Sequence, residues 1–407
     1  MTRLLWLAVA LLCVLRLHNA WVAPPEAGYD SSGQMVYLHQ LVVEHRWPDA
    51  RDGWMGYQPP AYYAATAGLA WMLGLQSDTA LARAAMVVSC LSGLALLVVA
   101  WRVARRLVPG REAAVVLLLA LLPATVIVGA TVTNMSLAMG LGALCLERLS
   151  AAWDAPRLHL ALEGWVGALG GLAFLGRIEY LPLLGLIPLL CVARLAWRRM
   201  PRRDAVLGAV LAISVWGAVA SIYLVPNLAR YNRLLVSNND PDIFPYYHHD
   251  LQDNLYLPGF HSAAWFLWPD RRSVVATSFP DALPSLWATT FHSLWADYYG
   301  VFVLRQRPWA DGLIRLGGFA LLGALGVGMH RARRDLLRWW PWLAAFLLTL
   351  ALYTLYQFRL PEYWCDKAVY CGLAYLPGAL FTVHGLPPRA MPLLLSLAVL
   401  VTFLYWL

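Results

Sequence analysis

Apolar residues run in long blocks through most of this chain, separated by short joints that carry arginine or proline. A membrane span needs roughly 20 predominantly apolar residues. On that measure the sequence predicts spans at 4–22, 81–101, 113–131, 136–152, 159–176, 179–197, 205–225, 312–329, 339–357, 368–386 and 391–407, about eleven in all. A further apolar segment, 59–75, is shorter, opens with Pro59-Pro60 and contains Tyr62, Tyr63 and Trp71. Two long stretches, 23–80 and 226–311, interrupt the pattern, and each is too long to be a bare connection. The expected fold class is an all-α polytopic membrane protein, one transmembrane domain over 1–407, with interfacial helices in the two long stretches. One of these is expected within 284–300, as an amphipathic or re-entrant helix at the membrane surface.

Charge orients the pattern. Arginines gather in three joints: Arg102, Arg105, Arg106 and Arg111; then Arg194, Arg198, Arg199, Arg202 and Arg203; then Arg331, Arg333, Arg334 and Arg338. Positive loops stay in the cytoplasm. All three clusters fall on that side if 59–75 lies along the outer interface and the N-terminus is cytoplasmic. Both long stretches are then non-cytoplasmic, which in a bacterial inner membrane means the periplasmic side. The start, Arg3 followed by LLWLAVALLCVL, has the form of a secretory signal with a site near Asn19-Ala20 or Val22-Ala23. A retained first span is the expectation, because the polar stretch after it needs an anchor. Arg16 and His18 are expected to snorkel to its outer end.

Composition agrees with a membrane protein. Of 407 residues 60% are hydrophobic and 13% charged, about half the charge of a soluble domain. The 20 Trp and 19 Tyr suit the two water–lipid interfaces. The net charge of +8 is accounted for by the arginine joints and does not point to nucleic acid. Lys367 is the only lysine. Cys13, Cys90, Cys145 and Cys191 lie in apolar runs as small hydrophobes, whereas Cys365 and Cys371 bracket Lys367 and would bond only if their geometry allowed. No Cys/His spacing suggests a metal. There is no nucleotide-binding glycine loop, and no internal repeat of the kind an inverted-repeat transporter carries.

The chemistry is concentrated in 28–63, where charge, Tyr, Trp and His sit between apolar runs; such groups beside a membrane mark function. Asp30 heads a helical run there, with Gly28-Tyr29 before it. Asp is a good N-cap, so a capping role and a catalytic one are both open on the residues alone. Within 226–311, the segments NLARYNRLLVSNNDPDIFPYYHHD, WPDRRS and PSLWATTFHSLWADYYG hold further Asp, His, Arg and aromatic residues.

Three segments together resemble the GT-C superfamily, polytopic transferases that take sugars from polyprenyl-phosphate carriers. GYDSSGQMVYLHQLVVEHRWP followed by YQPPAYY is similar to the acid-bearing first outer loop of the protein O-mannosyltransferase and lipid A aminoarabinose transferase branches. TVTNMSLAMGLGAL lies where relatives often carry Asn followed by Asp or Glu, and DKAVYCGLAYLP resembles their Arg/Lys-x-x-Tyr…Pro stretch opening a late span. Two departures stand out: Met135 replaces a second carboxylate, and Gln58 precedes Pro-Pro where relatives have His or Glu. A two-acid or acid-bound-metal mechanism is therefore in doubt, and Asn134 is left as a hydrogen-bonding partner.

The resemblance implies an inverting glycosyltransferase acting on the non-cytoplasmic face, with a polyprenyl-phosphate sugar as donor and a glycan, lipid or protein as acceptor. A fixed carboxylate removes the acceptor proton, and fixed cations stabilise the departing phosphate; Arg suits phosphate because it binds two oxygens at once. Asp30 is the expected base. Lys367, Arg230 and Arg359 rank first for the phosphate, followed by the pair Arg271 and Arg272. Arg177 and Glu179 either pair with each other or serve the site. Tyr29, Tyr57, Gln58, Asn134 and Tyr370 are candidates for substrate binding, as Tyr62 is for orienting the sugar, and Asp297 is a second-acid candidate. His39, His45, His248, His249, His261 and His292 fall on the outer side, and a divalent cation held by them with Asp or Glu stays open. The rival readings are a lipid-linked-sugar transporter or flippase, and an O-antigen polymerase or ligase with its catalytic Arg or His in 226–311.

Overall fold

A computed structural model describes residues 2–28, 30–197, 199–236, 286–295, 308–359 and 368–406, with backbone only at 286–289, 292, 308–311, 357–359 and 369. All regular structure among these residues is helical. In chain order the helices are α1 (Thr2–Val22), α2 (Ser31–Val42), α3 (Ala61–Leu73), α4 (Asp78–Leu107), α5 (Glu112–Leu121), α6 (Pro123–Val128), α7 (Met135–Asp154), α8 (Leu160–Gly176), α9 (Pro182–Ala196), α10 (Arg202–Tyr231), α11 (Leu286–Trp295), α12 (Pro308–Ala332), α13 (Leu336–Arg359), α14 (Tyr375–Gly385) and α15 (Met391–Tyr405).

Among the described residues seven stretches are long and apolar enough to cross a membrane: Thr2–Val22, Asp78–Leu107, Met135–Asp154, Ile178–Ala196, Arg202–Tyr231, Gly312–Tyr356 and Pro388–Tyr405. The sixth runs through both α12 and α13. Helices α5 and α8 are apolar but shorter. With 13 residues, α3 rises only about 20 Å, short of the ~30 Å hydrocarbon layer. It lies against α2 and α4, ends at Gly74 in the left-handed conformation, and shares a buried cluster with them through Tyr37, Tyr62, Tyr63 and Met86.

The expected single span 113–131 is two helices. Pro123 has no N–H to offer Leu119, and its ring drives Leu122 out of the α region, to φ −60° and ψ 118°. The carbonyls freed by the break are met from α1. Arg16 Nη2 donates to Ala120 O (3.1 Å), Leu119 O (3.3 Å) and Thr125 Oγ1 (2.7 Å), while the Thr125 hydroxyl donates to Leu119 O (2.6 Å). Arg16 is thus completely buried and does not snorkel to water as the sequence suggested. Gly93 on α4 leaves room for its guanidinium: a Cβ there would lie 3.3 Å from Nη1. The His18 ring stacks on Trp406 at 4.5 Å. Beside it, the buried Asn19 donates to Tyr405 O (2.6 Å), so α1 packs against α15.

Helices α12 and α14 meet almost backbone to backbone. A Cβ at Gly328 would lie 1.7 Å from Phe381 O, and one at Gly385 would lie 1.9 Å from Ala324 O. Helix α11 packs on this group: Phe291, Ser293 and Trp295 are buried, and Ser293 Oγ accepts the Ala368 N–H at 2.7 Å. The expected span at 368–386 opens as a 3-10 turn (Ala368–Ala374) before α14 begins.

The three arginine joints gather at one end of the bundle. Arg338 donates to Arg106 O, Arg106 and Arg199 both approach Asp154, Arg199 donates to Leu337 O, and Arg111 and Arg331 donate to carbonyls at 383–386. That clustering is what a shared positive end requires. Cys13, Cys90, Cys145, Cys191 and Cys371 are free thiols; Cys365 lies outside the described residues.

Candidate functional site

Asp30 sits at the N-cap position of α2 in the left-handed conformation, φ 64° and ψ 12°, which Asp tolerates better than most residues. Its carbonyl accepts the Gln34 N–H (3.1 Å) and starts the helix, but its side chain does not cap it. The half-buried carboxylate is therefore not spent on its own helix. The turn before it is held by Ser31 Oγ donating to Glu26 O (2.8 Å). Gly28, at φ 154°, presses on the 129–134 segment: a Cβ would lie 2.9 Å from Thr131 Cβ. This contact joins the Asp30 turn to the loop that carries Asn134.

Arg177 stands in extended backbone between α8 and the turn leading to α9, and only 2% of it is exposed. Its guanidinium is gripped from several directions. Glu179 takes one edge, with Nε–Oε2 at 3.0 Å and Nη2–Oε1 at 3.1 Å. Nη1 donates to Asn134 Oδ1 at 2.7 Å, and the Tyr370 ring lies 4.9 Å from its central carbon. Burial alone would make this side chain easier to deprotonate. The Glu179 carboxylate more than reverses that, with help from Tyr370, Asp30 and Tyr57, and holds its pKa above the ordinary arginine value. Asp30 is thus close enough to act on Arg177 through space, across the same cluster.

The amides form a relay around this cation. Asn134 Nδ2 donates to Gln58 Oε1 (3.2 Å), and the Asn134 N–H donates to Gln34 Oε1 (3.0 Å). Gln34, Gln58 and Asn134 are all buried. The Tyr62 hydroxyl secures the approach, accepting the Thr133 N–H (3.1 Å) and donating to Ala85 O (3.0 Å). Met135 is also buried.

The structure therefore brings Asp30, Gln58, Asn134, Arg177, Glu179, Tyr57 and Tyr370 together. Arg230 lies farther out, half exposed and 3.9 Å from Asp49, and lines with Gln58, Tyr37 and Pro60 a cavity of about 30 Å³. Tyr29, Arg271, Arg272, Asp297, Lys367, His248, His249 and His261 lie outside the described residues, as do the side chains of Arg359 and His292. Gln34 went unnamed in the sequence reading, although its spacing of four from Asp30 puts both on one face of α2. The opposite face of α2 borders a groove of about 570 Å³ lined by Glu26, Ser32, His39, Glu44 and Asp78, where His39 pairs with Asp78 at 2.8 Å. Among the described residues no group of three His, Cys, Asp or Glu side chains is placed to hold a metal ion.

Over most of its length the chain matches GT-C membrane glycosyltransferases in structure. The oligosaccharyltransferase of Archaeoglobus fulgidus in its apo form matches with 13% identity, a TM-score of 0.61, and coverage of 99% of this chain and 55% of that one. The same archaeal enzyme, AglB, in complex with an inhibitory peptide and a dolichol-phosphate, matches with 13% identity and a TM-score of 0.54 over 94% of this chain and 49% of that one. This chain thus spans about half the length of that enzyme. ArnT from Cupriavidus metallidurans, bound to undecaprenyl phosphate, is similar at 19% identity and a TM-score of 0.44, over 93% of this chain and 76% of that one. No protein-family model and no curated protein matches the sequence.

Proposed function

We propose that this protein is an inverting glycosyltransferase that moves a monosaccharide from a polyprenyl-phosphate carrier to an acceptor hydroxyl at the non-cytoplasmic face of a bacterial inner membrane. The single observation that carries the reading is the Asp30 carboxylate, uninvolved in capping and placed beside the buried Arg177 cluster. In this reading the arginine-rich end of an eleven-span bundle is cytoplasmic, and the ends carrying Asp30, Gln58 and Arg230 face the other side.

Asp30 takes the proton of the acceptor hydroxyl as its oxygen attacks the anomeric carbon, and the carrier phosphate leaves from the opposite face, inverting the centre. Asn134, Gln58, Tyr57 and Tyr370 frame the sugar around the Arg177–Glu179 pair. Arg230, Lys367, Arg359 and the pair Arg271 and Arg272 are the cations proposed for the departing phosphate. The fold likeness to an oligosaccharyltransferase that holds a dolichol-phosphate supports a polyprenyl-linked donor. The acceptor is a glycan, a lipid or a protein.

The test is Asp30→Asn in the purified protein, assayed with a panel of polyprenyl-phosphate sugars. A positioned general base contributes about 10²–10⁴-fold, so turnover is expected to fall by that factor at unchanged thermal stability. Turnover equal to the parent's removes Asp30 as the base.

A further inference from the structure

A catalytic carboxylate beside a departing phosphate needs positive charge near it, and a divalent cation is the common way of supplying it. The amides beside Asp30 do not fit such an ion. Mg²⁺ and Ca²⁺ take six or more oxygen ligands, carboxylates foremost. Here Asn134 Oδ1 already accepts from Arg177, Gln58 Oε1 from Asn134, and Gln34 Oε1 from the Asn134 N–H. Each amide oxygen is turned toward a donor, and Met135 offers no hard ligand. Glu179 is committed through both its oxygens to Arg177.

We infer that the Arg177 guanidinium is the fixed cation of this site, standing where a metal ion would otherwise compensate Asp30, so that transfer proceeds without a divalent metal. The inference rests on the glycosyltransferase reading above. Its geometric basis is the cation's immobility. Glu179 holds one edge, Asn134 the other, and the Tyr370 ring lies against the guanidinium. Gly176, just before it, packs against Ala138 of α7, where a Cβ would lie 3.1 Å away, fixing the height at which the side chain leaves the backbone. A charge so constrained needs little reorganisation during reaction, which is where electrostatic catalysis gains most. Among the described residues Glu179 is spent on holding it, and the Asp30 carboxylate acts on it through space.

Replacing Arg177 separates a charge role from a packing role. Arg177→Gln keeps a polar side chain that reaches Asn134 but loses the charge, and kcat is expected to fall at least 100-fold with a smaller change in KM. Arg177→Lys keeps the charge but cannot bridge Glu179 and Asn134 together, so an intermediate kcat is expected. Free guanidinium ion should restore part of the Arg177→Ala activity, an effect that a merely structural residue would not show.

The parent protein, full length and in lipid nanodiscs, is expected to contain substoichiometric metal by elemental analysis. Titration with Mn²⁺ followed by electron paramagnetic resonance should show no stoichiometric site, and activity should survive prolonged chelation within twofold. Turnover lost to chelator and restored by a divalent ion, a stoichiometric Mn²⁺ site abolished by substituting Asp30, or full kcat in Arg177→Gln would each overturn the inference. If Arg177→Gln does not fold, the chelation, metal-content and Arg177→Lys measurements decide alone. A parent that turns over no polyprenyl-phosphate sugar defeats the functional reading instead, whereas metal-dependent turnover defeats only this inference.

Discussion

Replacing Arg16 by Met tests whether a buried cation is there to satisfy a broken helix. Two effects oppose each other. Taking a charge out of an apolar interior relieves a desolvation penalty of several kcal/mol. Against this, the Ala120 carbonyl loses its Arg16 donor (3.1 Å), while Leu119 O keeps only the Thr125 hydroxyl (2.6 Å). An orphaned carbonyl costs about 1–3 kcal/mol in a protein interior and more within hydrocarbon. The favourable placement of a cation at the C-terminal end of α5 adds up to ~2 kcal/mol. These two losses, about 1–5 kcal/mol together, are the part that depends on the break, so a coupling of that order between Arg16 and Pro123 is expected, read by reversible unfolding in mixed detergent micelles. The decisive comparison uses a Pro123→Ala background, where a continuous helix supplies N–H groups to both carbonyls. There Arg16 has nothing left to satisfy, and Arg16→Met should become neutral or stabilising. A cost that is the same in both backgrounds, giving no coupling in the double-mutant cycle, refutes the reasoning.

Other perturbations follow from the same geometry. Gly328→Ala puts a Cβ 1.7 Å from Phe381 O, so α12 and α14 must part; a loss of about 3 kcal/mol or more is expected in the same unfolding assay, whereas Gly323→Ala, with nothing within 4 Å, should gain about 1 kcal/mol from helix propensity. Burial raises the pKa of the Asp49 carboxyl, but the Arg51 N–H, the Tyr231 hydroxyl and the Arg51 and Arg230 charges outweigh it and leave it below the ordinary value. The folded state therefore favours the ionised form. Its stabilising contribution is full above the unfolded carboxylate pKa of about 3.9 and is lost as pH falls through the lower folded value. Asp49→Asn should flatten the acid limb of stability, and the same acid limb in both proteins would count against this account.

The sequence already carried the helical class, because blocks of apolar residues with arginine joints admit few other structures. It also placed Asp30 ahead of a helix and set Arg177 two residues from Glu179, a spacing at which an extended backbone lets the two side chains meet. Periodicity could not say which face of α1 would be covered. Arg16 was assigned to water because nothing local announces that Ala120, over a hundred residues on, has a carbonyl to be met. The break at Pro123 was written in the chain, yet a count of apolar residues cannot weigh one missing N–H. Gln34 was overlooked because an amide beside an acid carries no chemistry until its partner, the Asn134 N–H, arrives from another helix. Long-range polar pairing is the information that local patterns lack.

The contact between Asn19 and the Tyr405 carbonyl has a bearing on biogenesis. Helix α1 is made ahead of its partners and carries an amide and a guanidinium whose mates are supplied much later, by α15 and by the α5–α6 break. During synthesis these two polar groups therefore wait in a helix that is best sheltered by the insertion machinery until its partners emerge. Their meeting is then a closure event, in which α15 is docked against a helix made long before it.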